Sequence, residues 1–236
     1  MIQPVSLIGP APPTAIPLAA LAPTLIVLAY LAGSIPFGWL IAKRQGVNIF
    51  EHGSGNIGAT NVGRVLGKPW GVLCFVLDVS KGLVPTLVAG WALGVLGQVD
   101  PPMAGSLAWL GVMAATIVGH IASPWLGLRG GKGVATGLGA FAGVFPVLSI
   151  PAGIALLTWL AALRLTHYVS LASCIAALAL PVSLGVLMLS LGSWRLDALW
   201  LFVSFATAIA VLVVWKHRGN LARIRLGTEP KVLVKE

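Results

Sequence analysis

Charge is the scarcest property of this sequence. Only 9% of its 236 residues are charged, and only six are acidic. A soluble globular domain carries roughly 25% charged residues, so a fold solvated on all sides is excluded. Cysteine is nearly missing too. Cys74 and Cys174 both lie inside apolar runs, where they read as inert packing residues and give neither a disulfide framework nor a metal site. The first seventeen residues hold five prolines and no charge, and without a basic n-region they do not resemble a signal peptide.

What is abundant is apolar. Hydrophobic residues make up 58% of the chain and the mean hydropathy is +0.97. The apolar runs are about 20 residues long, which suits helices crossing a hydrocarbon core of ~30 Å and not the alternating ~10-residue strands of a barrel. The fold class expected is all-α, a polytopic membrane protein built as a bundle of seven transmembrane helices. The spans are expected near 18–42, 69–97, 104–126, 134–145, 147–163, 169–191 and 198–215. The second is longer than a crossing needs and holds Asp78 and Lys81, followed by Gly82 and Pro85, so it should tilt strongly or break. In domain terms the chain divides into a proline-rich arm (1–17), a seven-span domain (18–216) and a basic tail (217–236).

The net charge of +9 would suggest nucleic acid as partner of a soluble protein. Here it reads as lysine and arginine retained on one side of a bilayer, so no nucleic acid partner is expected. With seven spans, Lys43, Arg44, Arg64, Lys68, Arg129, Lys132, Arg164 and the tail cations Lys216, Arg218, Arg223, Arg225, Lys231 and Lys235 share one face, and only Arg195 falls on the other. This places the N-terminus on the periplasmic side and the C-terminus in the cytoplasm. An even number of spans would spoil the asymmetry.

Two loops on that basic face depart from lipid-like composition. Gly53–Arg64 reads GSGNIGATNVGR; its glycines disfavour a helix by about 1 kcal/mol each relative to alanine. Bare backbone amides, the side chains of Ser54, Asn56, Thr60 and Asn61, and the Arg64 guanidinium can close around an anion. Leu128–Gly133, LRGGKG, is a second loop of glycine and cation. Both face a compartment rich in phosphorylated metabolites, so a phosphate-bearing ligand follows. Gly53, Gly55 and Gly58 also fit GxGxxG, but that fingerprint needs a strand and a soluble βαβ unit. A P-loop ending at Lys132 fails because Leu126 stands at its first glycine and Gly133 at its serine or threonine.

Five stretches together carry a family resemblance. GSIPFGWLIAK (33–43), GSGNIGATNVGR (53–64), DVSKG (78–82), GHIASPWLGLRGGKGVAT (119–136) and HRGNLARIRLGTE (217–229) resemble, in order and spacing, the PlsY family of bacterial acyl-phosphate:glycerol-3-phosphate acyltransferases. The resemblance covers about 20–230. It implies a seven-span enzyme of the bacterial inner membrane that needs no cofactor or metal. Acyl phosphate and glycerol 3-phosphate would be its substrates, within membrane lipid, and 1-acylglycerol 3-phosphate and inorganic phosphate its products.

The chain's inventory agrees with that chemistry. Acyl phosphate is a mixed anhydride with a good leaving group, so no covalent enzyme intermediate is required, and no Ser-His-Asp triad is evident. Glycerophosphate acyltransferases that use soluble donors have an aspartate five residues after a histidine. After His52, His120, His167 and His217 that position holds Ile57, Trp125, Ala172 and Ala222. The reaction needs two phosphates neutralised, a hydroxyl aligned and donors at a developing oxyanion. The catalytic set expected from the cation loops and the resemblance is Ser54, Arg64, Lys132, His217 and Asn220. Gly53, Asn56, Thr60, Asn61, Gly130, Gly131 and, more weakly, Ser170 are expected to bind substrate phosphate.

Plainer roles compete with these. Arg64 and Lys132 also satisfy the positive-inside rule, Ser54 and Thr60 can stabilise turns, and His217 can be an interfacial histidine. Asp78 and Lys81 are expected to support the structure by pairing with each other. His120 and Ser123 are read as capping a span, the glycines of the fourth span as packing, and the tryptophans mostly as interface anchors. The alternative function is a transporter or flippase of a phosphorylated or lipid metabolite, which broken spans would suit. No internal repeat supports it.

Overall fold

The structure is a computed structural model that describes residues 17–191, 194 and 196–232; residues 1–16 of the proline-rich arm, Arg195 and the last four residues lie outside these. Among the described residues the chain is helical, without strands. Six stretches are long and apolar enough to cross a membrane by length and composition. They fall into two compact units, one from 17–96 and 103–144, the other from 97–102 and 145–232.

In the first unit, α1 (Leu18–Ser34) and α2 (Phe37–Arg44) together make the first apolar stretch. The sequence reads it as one span, and one apolar stretch it is, with Pro36 interrupting the helix inside it. Proline has no N–H and pushes the residue before it out of helical geometry, and Ile35 takes φ −57°, ψ 116°. The next polar segment is only partly a loop, because Ala59–Leu66 forms α3. The long α4 (Lys68–Ala92) neither breaks nor ends at Pro85. Pro85 removes one helical hydrogen bond, and at the next residue the Thr86 hydroxyl donates to the Gly82 carbonyl at 2.8 Å.

Helix α5 (Met103–Ile121) leads through a short 3-10 turn, Pro124–Leu126, to α6 (Val134–Gly143). Backbones approach closely where helices cross. A Cβ at Gly33 would run into the Thr116 carbonyl of α5, and one at Gly139 of α6 into the Val79 carbonyl of α4, the small-residue packing typical of membrane helices. At ten residues α6 is only about 15 Å long, and it is the shorter apolar helix beside the six candidate spans. Trp109 is a core residue and not an interface anchor: it is fully buried and its indole N–H donates to Thr86 O at 2.8 Å.

The second unit holds α7 (Ser149–Thr166), α8 (Val169–Ser190), α9 (Leu196–Lys216) and the short α10 (Arg218–Arg225). Its tail folds back on the α7–α8 turn. Val232 N–H donates to His167 O at 2.9 Å, and Val232 packs on Ala162, Leu163 and Ala172.

Candidate active site

The glycine-rich stretch is a turn held from inside by one amide. Asn61, buried in the first turns of α3, accepts the Ser54 N–H at Oδ1 (2.8 Å) and donates from Nδ2 to the carbonyls of His52 (3.1 Å) and Asn56 (2.9 Å). Asn56 in turn accepts the Gly58 N–H at 2.8 Å. Gly53 and Gly55 have φ of +61° and +66°, a left-handed backbone that glycine adopts without strain. This local chemistry turns the exposed Ser54, Thr60 and Arg64 side chains outward, and none of the three makes a side-chain hydrogen bond or ion pair among the described residues. Asn61 and Asn56 build the loop; Ser54, Thr60 and Arg64 are what it presents.

The second loop rests on α5. Gly131 N–H donates to His120 O at 3.1 Å, and a Cβ on Gly130 or Gly131 would collide with the His120 carbonyl or ring. Lys132 follows, half-buried, just before α6. The His120 ring faces Asp78, with Nδ1 3.7 Å from Oδ1, and Lys81 Nζ lies 2.9 Å from the same oxygen. Cys74 Sγ is 3.7 Å from the other carboxylate oxygen. Lys81 also donates to Ile35 O at 2.7 Å. Beside it the Ser123 hydroxyl donates to Ser34 O at 2.7 Å, and Trp125 Nε1 to Ser34 Oγ at 2.8 Å. The helix end freed at Pro36 is thus supplied with donors, as backbone in a membrane requires.

In the other unit the expected residues gather on a carboxylate. Ser170 Oγ (2.8 Å) and Asn220 Nδ2 (2.6 Å) both donate to Glu229 Oε1, while Arg223 Nε reaches Oε2 at 2.8 Å. Burial works to raise the Glu229 pKa, and the hydrogen bonds from Asn220, Ser170 and Arg223 with the arginine charge outweigh it, so the carboxyl sits below its ordinary value. His217 is buried between α9 and α10, with Nδ1 2.8 Å from Val213 O. A carbonyl only accepts, so the His217 ring carries a proton on Nδ1 in this contact.

The first unit therefore brings Gly53, Ser54 and Asn56 of the turn together with Thr60, Asn61 and Arg64 of α3, and sets Asp78, with Lys81 beside it, against the His120 ring under the Gly130–Gly131–Lys132 loop. The second brings Ser170, His217 and Asn220 to the α8–α10 end. Sequence reasoning missed Glu229, although it stands in the tail stretch 217–229, and it gave His120 a cap instead of a carboxylate partner. Asn220 and Arg223 stand within nine residues of Glu229, but Ser170 is 59 residues off and Asp78 is likewise remote from His120, so no local signal reveals those pairings. Among the described residues no cluster of His, Cys, Asp and Glu is arranged to hold a metal ion.

The family model described as glycerol-3-phosphate acyltransferase matches residues 23–227. The chain is 44% identical over 205 residues to a glycerol-3-phosphate acyltransferase of Geobacter sulfurreducens, covering 87% of this chain and 94% of that protein. It is 40% identical over 210 residues to one from Thermosynechococcus vestitus, covering 88% and 93%. Among solved structures it is similar to PlsY (YgiH), an integral membrane glycerol 3-phosphate acyltransferase. The TM-score is 0.75 with the glycerol 3-phosphate form and 0.73 with the lysophosphatidic acid form, at 37% identity over 89% of this chain and 94% of the other.

Proposed function

The chain belongs to the glycerol-3-phosphate acyltransferase family, and from that premise we propose that it acylates the 1-hydroxyl of glycerol 3-phosphate with acyl phosphate as donor. The observation that carries the reading is the stretch 53–64, where Ser54 on the glycine-rich turn and Thr60 and Arg64 on α3 are exposed, and Asn61 of α3 ties the turn to the helix. Donors held in place without partners of their own suit an incoming phosphate better than a structural ion pair.

In the reaction the glycerol hydroxyl oxygen attacks the acyl carbon and the acyl C–O bond to phosphate breaks. The hydroxyl proton passes to the departing phosphate, so no enzyme base is consumed. Arg64 and Lys132 neutralise phosphate charge, and Ser54 and Thr60 donate to phosphate oxygens. His217 and Asn220 orient reacting oxygens, with Ser170 as a weaker contributor. Asp78 and Lys81 remain behind the loops as structure.

The topology we infer counts α6 as the seventh crossing, with the N-terminus periplasmic and the C-terminus and site cytoplasmic in a bacterial plasma membrane. If α6 did not cross, Arg129 and Lys132 would lie opposite Arg164 and the tail cations, against the positive-inside rule.

The deciding assay takes purified protein in lipid with glycerol 3-phosphate and acyl phosphate, acyl-CoA or acyl-carrier protein in parallel. Lysophosphatidate and phosphate appearing with acyl phosphate alone are expected. Product from a thioester alone would overturn the donor assignment.

A further inference from the structure

His120 is assigned no part in the reaction above, yet it joins two features that are otherwise separate. One is the buried charge pair inside α4: Asp78 and Lys81 are 2% and 6% exposed and 2.9 Å apart. Charge is costly at this depth and usually marks function. The other is the Gly130–Gly131–Lys132 loop. His120, 4% exposed, touches both. Its Nδ1 faces Asp78 Oδ1 at 3.7 Å, its carbonyl accepts the Gly131 N–H at 3.1 Å, and its ring lies where a Gly131 side chain would begin.

Two glycines in succession leave a chain with much backbone freedom, and nothing in that pair itself aims the next side chain. The direction comes from below. With the ring lying beside Asp78, at 3.7 Å and without a hydrogen bond, the peptides of Gly130 and Gly131 have one surface to lie on and one carbonyl to bind, and Lys132 leaves from that surface.

We propose that His120 is a positioning residue for the transfer reaction: anchored by Asp78, its imidazole is the floor that sets the Gly130–Gly131 backbone and so aims Lys132 at a substrate phosphate. The buried Asp78–Lys81 pair then has two duties. Lys81 closes the helix end at Ile35, and Asp78 fixes the histidine. The inference rests on the acyltransferase reading, since it needs Lys132 to meet a substrate phosphate.

The test is steady-state kinetics of full-length His120→Ala, Gly131→Ala and the double variant in lipid, each with a thermal midpoint. Misplacing a catalytic group by about 1 Å can cost up to ~100-fold in rate. Gly131→Ala, whose methyl meets the ring, should raise the KM for one phosphate substrate about tenfold, leaving the other within roughly twofold. His120→Ala should raise the same KM. In the double variant the vacated ring space accepts the methyl, so its KM should fall below the product of the single effects, a coupling of contacting residues. His120→Gln, which places an amide beside Asp78, should fold and retain most of the affinity even where His120→Ala does not.

Multiplicative effects in the double variant, or equal changes in both KM values, would overturn the proposal. Where His120→Ala fails to fold, a His120→Gln enzyme with both KM values shifted alike would do the same. Unchanged KM values in folded His120→Ala would remove His120 while leaving the acyltransferase intact. Wild-type protein inactive with every donor would instead defeat the functional reading.

Discussion

Lys81 Nζ lies 2.7 Å from the carbonyl oxygen of Ile35, so a cation midway along α4 serves a helix end 46 residues earlier. The same ammonium is 2.9 Å from Asp78 and 5.6 Å from the Phe37 ring centroid. It answers both the charge beside it and the helix end broken by Pro36.

Replacing Lys81 by Met should destabilise the protein by about 3–5 kcal/mol, because Asp78 would be left buried without its cation. Adding Asp78→Asn should restore part of the loss. Thermal unfolding in detergent reads both, and a double variant less stable than Lys81→Met would refute the pairing argument.

Asn61→Asp is the sharper test of the first loop. It keeps the acceptor for Ser54 N–H but removes the donors to His52 and Asn56, two hydrogen bonds worth about 1 kcal/mol each. Stability should fall by roughly 2 kcal/mol, and turnover more steeply, as the presented side chains lose register. Full activity would show that Ser54, Thr60 and Arg64 need no fixed backbone.

Arg64 is exposed and without a partner among the described residues. Arg64→Ala should therefore leave stability within about 0.5 kcal/mol, while acyl transfer falls by roughly 100-fold or more, the scale of losing one charge-stabilising donor. Lys132→Ala should lower transfer comparably in folded protein. Retained activity in both would end their assignment.

Glu229 makes a pH prediction. Its folded-state pKa is depressed, so its stabilisation is complete above the ordinary glutamate value of about 4.3 and disappears as pH falls through the folded value. The gap in thermal midpoint between wild type and Glu229→Gln should be constant from neutral pH towards that range and narrow below it. A gap that widens on acidification would reverse the sign.

Much of this architecture is legible in the sequence. Hydropathy along the chain places α7, α8 and α9 to within about three residues at their ends, since a lipid-facing helix declares itself through residues adjacent in sequence. The two loops are legible by their glycine, amide and cation content, and the family by five stretches in order. Where the helices along the apolar runs differ from expectation, the reason is that proline acts on backbone geometry and leaves hydropathy untouched. The break at Ile35–Pro36 is hidden in an apolar run, and of the tilt or break expected near Pro85, α4 shows no break.

By itself the sequence determined that this is a helical membrane protein, which loops carry polar chemistry and which family it joins, because composition and motif order are local. Only tertiary structure decided who partners whom. Lys81 with Ile35, Ser170 with Glu229 across 59 residues, and His120 with Asp78 are contacts between segments remote in the chain. Which segments meet follows from where helices pack, as at Gly33 and Gly139, where a Cβ would run into a neighbouring backbone, and one-dimensional periodicity holds no record of where backbones cross.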